Sequence, residues 1–121
     1  MDESKSSQLM EEKVIRVILS NEADEFVRLL SMKVQRKIAY NIRKLEYGVI
    51  DKEIFKKLSG TDIWELRTLF DGTCYRLFAF WDTTKETLVV ATHGIVKKTQ
   101  KTPSKEIAKA EAIRKEYFNK R

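Results

Sequence analysis

Cysteine, proline and histidine each occur once in these 121 residues, and glycine only four times. The lone Cys74 has no partner for an internal disulfide, so a reducing, cytoplasmic setting is the expectation. One histidine and one cysteine leave no His/Cys metal site to assemble, and no D-x-D spacing suggests a carboxylate one. The glycines do not fall in P-loop or GxGxxG order, which sets aside the nucleotide-binding folds that depend on those turns. No apolar run approaches a membrane span. The acidic, polar opening MDESKSSQLMEEK lacks the hydrophobic segment of a signal peptide.

Charge is what the chain has in abundance, at 35% of residues beside 42% hydrophobic ones, a balance that suits one soluble folded domain. The net charge is +6. Residues 1–60 hold twelve Lys/Arg against ten Asp/Glu, and residues 61–121 twelve against eight. Within 94–105, around HGIVKKTQKTP, four lysines stand with no acid among them. Such an excess attracts phosphates and steers encounter with polyanions, although a solvated loop would look the same from composition alone.

Periodicity organises the rest. Residues 1–11 read as a disordered or frayed N-terminus, and 12–121 as a single domain. VIRVIL (14–19) is short and β-branched and predicts a strand. Ser20 or Asn21 then caps a helix whose stripe is Ala23, Phe26, Val27 and Leu30. A second helix buries Val34, Ile38, Ile42 and Leu45 and ends at Gly48. Residues 49–60 are ambiguous, with one helical turn expected from Asp51. IWELRTLF (63–70), CYRLFAFWD (74–82) and TLVVATHGIV (87–96), joined by DGT and TTKE turns, form an antiparallel meander. Thr102 as N-cap and Pro103 at N1 open a last helix with Ile107, Ala110, Ile113 and Tyr117 inward. The expected class is α+β in the order β-α-α-β-β-β-α, a mainly antiparallel sheet packed by a helical hairpin and a C-terminal helix.

Arg76 is the anomaly. It sits mid-way along a strand whose two faces are both apolar, where an unpaired guanidinium would be costly. It must meet a carboxylate, Glu65 or Asp71, or a ligand anion. Arg67 joins its face if the register allows, and Lys97 and Lys98 stand where the last strand ends. Together they would make a phosphate site of fixed donors. His93 is expected on one strand face with Val89, Ala91 and Ile95, more in keeping with a packed ring than a general base.

KLSG before the meander, WELR within it, the YR pair of the next strand and HG-x-x-KK-x-x-KTP before the last helix resemble one family over residues 14–117. It is the RelE/HigB-type toxins of bacterial type II toxin–antitoxin systems, in their phage-derived, host-killer-like branch. The resemblance implies the RelE-like fold and an endoribonuclease that cleaves mRNA on the ribosome without metal or cofactor. Attack of the ribose 2′-hydroxyl on the adjacent phosphate would leave 2′,3′-cyclic phosphate and 5′-hydroxyl ends. It implies catalytic roles for Arg67, Arg76, Lys97 and Lys98, and RNA binding by Lys57 and Lys101. His93 and Tyr117 are the local acid–base candidates, alongside a lysine whose pKa its like-charged neighbours depress. The implied partner is a helix-turn-helix antitoxin encoded alongside, with operator DNA reached only through that complex and no membrane involved. Acidic antitoxin residues would meet the basic surface at 97–105, the alternative being a hydrophobic contact on the two-helix face. A non-catalytic RNA- or protein-binding module with the same fold is the alternative.

Overall fold

The computed structural model describes residues 12–85, 88–97 and 101–120. The expected N-terminal lead-in at 1–11, positions 86–87 at the TTKE turn, and Lys98 lie outside the described residues. The elements are β1 (Arg16–Leu19), α1 (Asn21–Arg28), α2 (Met32–Glu46), β2 (Phe55–Lys57), β3 (Trp64–Phe70), β4 (Thr73–Asp82), β5 (Leu88–Lys97) and α3 (Ser104–Asn119). They form a five-stranded sheet in the order β1-β5-β4-β3-β2, with β1 parallel to β5 and the other pairs antiparallel.

The α+β order expected from periodicity is present, with one strand added. Asp51 does start a turn: its side chain accepts from the Glu53 amide (2.9 Å) and its carbonyl from Ile54 and Phe55 (2.8 and 2.7 Å). The chain then pairs with β3 as β2 instead of continuing a helix. Two of its three residues are exposed lysines, so no alternation betrays it.

Local chemistry fixes the two N-terminal helices. Ser20 Oγ accepts from the Ala23 amide (3.1 Å), and Ser31 Oγ from that of Val34 (3.3 Å). Gly48, at φ +91°, closes α2 in a Schellman arrangement, its amide donating to Leu45 (2.9 Å) and that of Val49 to Lys44 (2.9 Å). At α3 the expected cap is displaced by one residue. Pro103 itself holds the cap position with no side-chain bond, because the Thr102 hydroxyl is used elsewhere.

Helices cover the sheet on both sides. Ala23, Val34, Ile38 and Leu45 of α1 and α2 pack on Leu66, Leu77, Ala79, Val89 and Ala91. On the other face Ala110 of α3 packs with Ile63, Phe78, Phe80, Leu88 and Val90. β4 is the central strand and is apolar on both faces, as expected.

One irregularity changes the faces of β5. Phe78 pairs with His93 but Ala79 with Ala91, so Thr92 is bulged out of register. Ser20 donates to the Thr92 carbonyl (2.7 Å) and so ties the bulge to the start of α1. The expectation that His93 faces with Val89 and Ala91 is therefore corrected: the extra residue turns His93, Ile95 and Lys97 to the α3 face, with Phe78 and Arg76. Beyond the bulge, Gly94 lies under the Phe26 ring. A β-carbon there would stand 2.3 Å from Cδ2 of that ring. Gly94→Ala is expected to lower unfolding free energy by about 1–3 kcal/mol. An unchanged urea midpoint would refute the close packing.

A candidate phosphate-binding site at the end of the sheet

Register answers the question of which cations converge. Arg67 lies directly opposite Arg76, so the two guanidiniums leave one sheet face side by side. Lys97 is opposite Cys74, two residues along β4 from Arg76, and on the same face. Like charges paired across strands repel, so something must offset them. Glu65, two residues before Arg67 on β3, does so in part.

Arg76 Nη1 meets Glu65 Oε1 at 2.7 Å, with Arg76 4% and Glu65 2% exposed. The partner of Arg76 is thus Glu65, not Asp71, which occupies the tip of the β3–β4 hairpin. The Thr102 hydroxyl is the hub. It donates to Glu65 Oε2 and accepts from Arg76 Nη1 (3.4 Å) and Lys97 Nζ (3.3 Å). This is why Thr102 does not cap α3. Arg76 Nε is buried without a hydrogen-bond partner among the described residues, a donor left over in a site already rich in them.

Three cations against one carboxylate leave the cluster positive. Lys97 records it: burial (5% exposed) lowers its ammonium pKa below the ordinary 10.5, the Arg76 guanidinium lowers it further, and Glu65 opposes both. Arg67 is half-buried and meets no carboxylate at ion-pair distance among the described residues. Lys101 is exposed and, with Thr102, Pro103, Ser104 and Lys105, lines an open depression of about 560 Å³ beside the cluster.

The other expected site residues lie apart. Lys57 pairs with Trp64 and so stands on the helical-hairpin face, opposite to Arg67 and Arg76. Its neighbour Lys56, opposite Glu65, is the strand lysine on the basic face. Phe55 points into the core, and this sets Lys57 on its face and Lys56 on the other.

His93 is 2% exposed and stacks on Phe78 (4.9 Å). Its Nε2 lies 3.0 Å from Glu106 and its Nδ1 2.9 Å from the Thr92 hydroxyl. Both nitrogens are occupied and the ring is buried, the packed arrangement that the sequence also allowed, and it anchors α3 to the sheet. Tyr117 donates to Asp82 (2.7 Å), six residues or about 20 Å along β4 from Arg76, so it too is remote.

Burial is the main cause holding the His93 pKa below 6.5, and the Glu106 hydrogen bond opposes it. Between the folded value and 6.5 the unfolded chain binds more protons, so stability falls as pH falls through that window. Urea titrations at descending pH are expected to show this slope in the wild type and to show it reduced in His93→Phe.

Among the described residues, no group of His, Cys, Asp and Glu is placed to hold a metal ion, and no helix is long and apolar enough to cross a membrane.

The geometry can be set beside known proteins. No curated protein matches the sequence significantly. Among solved structures, the chain superposes on a mutant of the E. coli toxin RelE in the free state with TM-score 0.54 and 16% identity, covering 67% of this chain and 81% of that one. The intact E. coli RelBE toxin–antitoxin complex gives 0.53 and 16%, covering 72% and 99%. The archaeal RelE–RelB complex of Pyrococcus horikoshii OT3 gives 0.54 and 20%, covering 73% and 99%. At these identities the likeness establishes a shared fold. Residues 25–115, well over half of the chain, match the family model described as Phage derived protein Gp49-like (DUF891), and the chain belongs to that family.

Proposed function

We propose that this protein is the toxin of a toxin–antitoxin pair, an endoribonuclease that cuts mRNA on the ribosome without a metal. The observation that carries the reading is the convergence of Arg67, Arg76 and Lys97 on one sheet face, with the lysine's pKa depressed. The RelE fold and the antitoxin-bound state of two similar structures support it.

Cleavage by the adjacent 2′-oxygen forms a P–O2′ bond and breaks the P–O5′ bond, giving 2′,3′-cyclic phosphate and a 5′-hydroxyl. Negative charge accumulates on the non-bridging oxygens, where Arg67 supplies a fixed planar donor. Arg76, held by Glu65, acts as a positioning residue: it places positive charge behind the phosphate and favours the neutral amine of Lys97. That amine takes the 2′-proton and returns it to the departing 5′-oxygen. Lys56 and Lys101 grip the flanking backbone. The helix-turn-helix antitoxin would cover the basic rim and carry the complex to operator DNA.

One observation favours a second reading. The burial of Arg76 against Glu65 is also what a structural ion pair looks like, in which case the basic face binds RNA or a protein without cutting.

Mapping of 5′-hydroxyl ends in bacteria expressing the wild type or Arg67→Gln separates the two. New ends within coding frames, lost in the variant at equal folded protein, are expected. No new ends from the wild type would refute the enzyme and leave the binding module.

A further inference from the structure

The molecule's second concentration of positive charge is on α2. Lys33, Arg36, Lys37, Arg43 and Lys44 recur at helical spacing on one stripe about 120° wide and about 16 Å long. The opposite stripe is the buried one, with Val34, Ile38, Asn41 and Leu45. No acid interrupts the cations: the helix's single carboxylate, Glu46, is turned inward onto the Val17 amide (3.1 Å) and Lys13 (3.1 Å). Among the described residues none of the five meets a carboxylate at ion-pair distance. Like charges three and four residues apart weaken a helix, a repulsion that a polyanion laid along the stripe would relieve.

Two tyrosines lie within the same stripe. Tyr40 is 55% exposed, with the ammoniums of Lys37 and Lys44 each 5.6 Å from its ring centre. Tyr47 has the Arg43 guanidinium at 5.9 Å. The two rings flank a largely apolar groove of about 580 Å³ rimmed by Arg36, Arg43 and Lys44. Cations alone would suit an acidic peptide as well. An exposed tyrosine and a half-buried one, set among cations, suit a strand with unpaired bases.

The stripe also connects to the site described above. Beyond Ile54, β2 no longer covers β3, and at that open edge a cavity of about 210 Å³ is lined by Lys37, Tyr40 and Lys44 on one side and Arg67 on the other. Asp51 and Glu53 form part of its wall.

We infer that α2 is a track for the RNA strand beyond the scissile phosphate. The strand leaves Arg67, rounds the edge of β3 and lies along α2, with phosphates on the five cations and a base on Tyr40. That the polyanion is RNA rests on the function proposed above; the continuity of the two surfaces does not. At about 3.4 Å per phosphate, the spacing along one strand of a helical stack, the stripe accommodates about five nucleotides.

The test uses 2′-O-methyl RNA, which cannot be cleaved, so binding is read apart from catalysis. A trinucleotide that fills only the site and an oligonucleotide about five residues longer are titrated by fluorescence anisotropy over a salt series. Replacing Arg36, Lys37, Arg43 and Lys44 together by Gln is expected to weaken the long RNA more than about 100-fold and to reduce its salt slope by about 3, leaving the trinucleotide unchanged. Tyr40→Ala, tested separately, is expected to lose about tenfold on the long RNA with little change in slope. Equal affinity of wild type and variants for the long RNA overturns the inference, as does equal loss for both lengths. Loss of binding to a polyglutamate peptide with RNA binding intact would also overturn it, assigning the stripe to an acidic protein partner. A wild type that binds the long RNA through α2 but cuts no natural RNA would refute the proposed activity and leave the track standing.

Discussion

Glu65→Ala is expected to destabilise the domain by about 3–5 kcal/mol, a large share of the stability of a single domain. The reason lies in what it leaves behind. Arg76 is 4% exposed and has one carboxylate partner, and Thr102 gives its hydroxyl proton to that same carboxylate. Without Glu65 a buried guanidinium would face Arg67 and Lys97 with no countercharge. Its Nε, already without a partner, would be joined by Nη1, retaining only the long contact to Thr102. Removing both charges is a different matter. Glu65→Leu with Arg76→Met takes away a pair whose desolvation offsets much of its attraction, so the double variant is expected to recover most of the loss. Urea unfolding of the two single variants and the double one gives the coupling directly. Glu65→Ala within about 0.5 kcal/mol of wild type would show that the pair is not holding the sheet together.

The same pair shows what could be read from the sequence and what could not. An arginine in the middle of a two-faced apolar strand signals a partner, and the choice narrows to Glu65 or Asp71. Alternation puts Glu65 on a strand face, and the positive φ of Asp71 and Gly72 places the other at a hairpin tip. Helix stripes, caps and the Schellman glycine at 48 are short-range patterns, and they appear where periodicity puts them. What escaped depends on register. The β5 bulge at Thr92 shifts every later side chain to the other face. That one residue moves His93 into the α3 core and brings Lys97 beside Arg76. β2 has three residues and no alternation, so nothing local shows that Lys57 lies on the helical-hairpin face and Lys56 beside Glu65. Thr102 looked like a helix cap because an N-cap is a local device, and its use as the hub of a long-range cluster leaves no local trace. The cations of α2 share a stripe only once the helix is in place, and their relation to Arg67 needs the open edge of β3.

Arg67→Gln is expected to reduce RNA cleavage by about 100- to 1,000-fold while leaving folding intact, the loss seen when one preorganised donor to a developing oxyanion is removed. Arg67 is the cluster's half-buried guanidinium and holds no carboxylate among the described residues, so its removal strands nothing there and stability is expected to stay within about 0.5 kcal/mol. That separation of effects distinguishes it from Glu65 and Arg76. Lys97 supplies the second readout. Its depressed pKa means that the neutral amine exists at a lower pH than for an ordinary lysine, so cleavage should rise with pH along a limb set by that group. Stability carries the same signature: between the folded value and 10.5 the unfolded chain holds more protons, so the fold gains stability as pH rises through that window. Arg76→Met, which removes the largest charge effect lowering the Lys97 pKa, is expected to move the kinetic limb to higher pH, whereas Lys97→Met should abolish it. A limb that stays in place in both variants would take the proton transfer away from Lys97. An Arg67→Gln protein as active as the wild type would take the phosphate away from this face of the sheet.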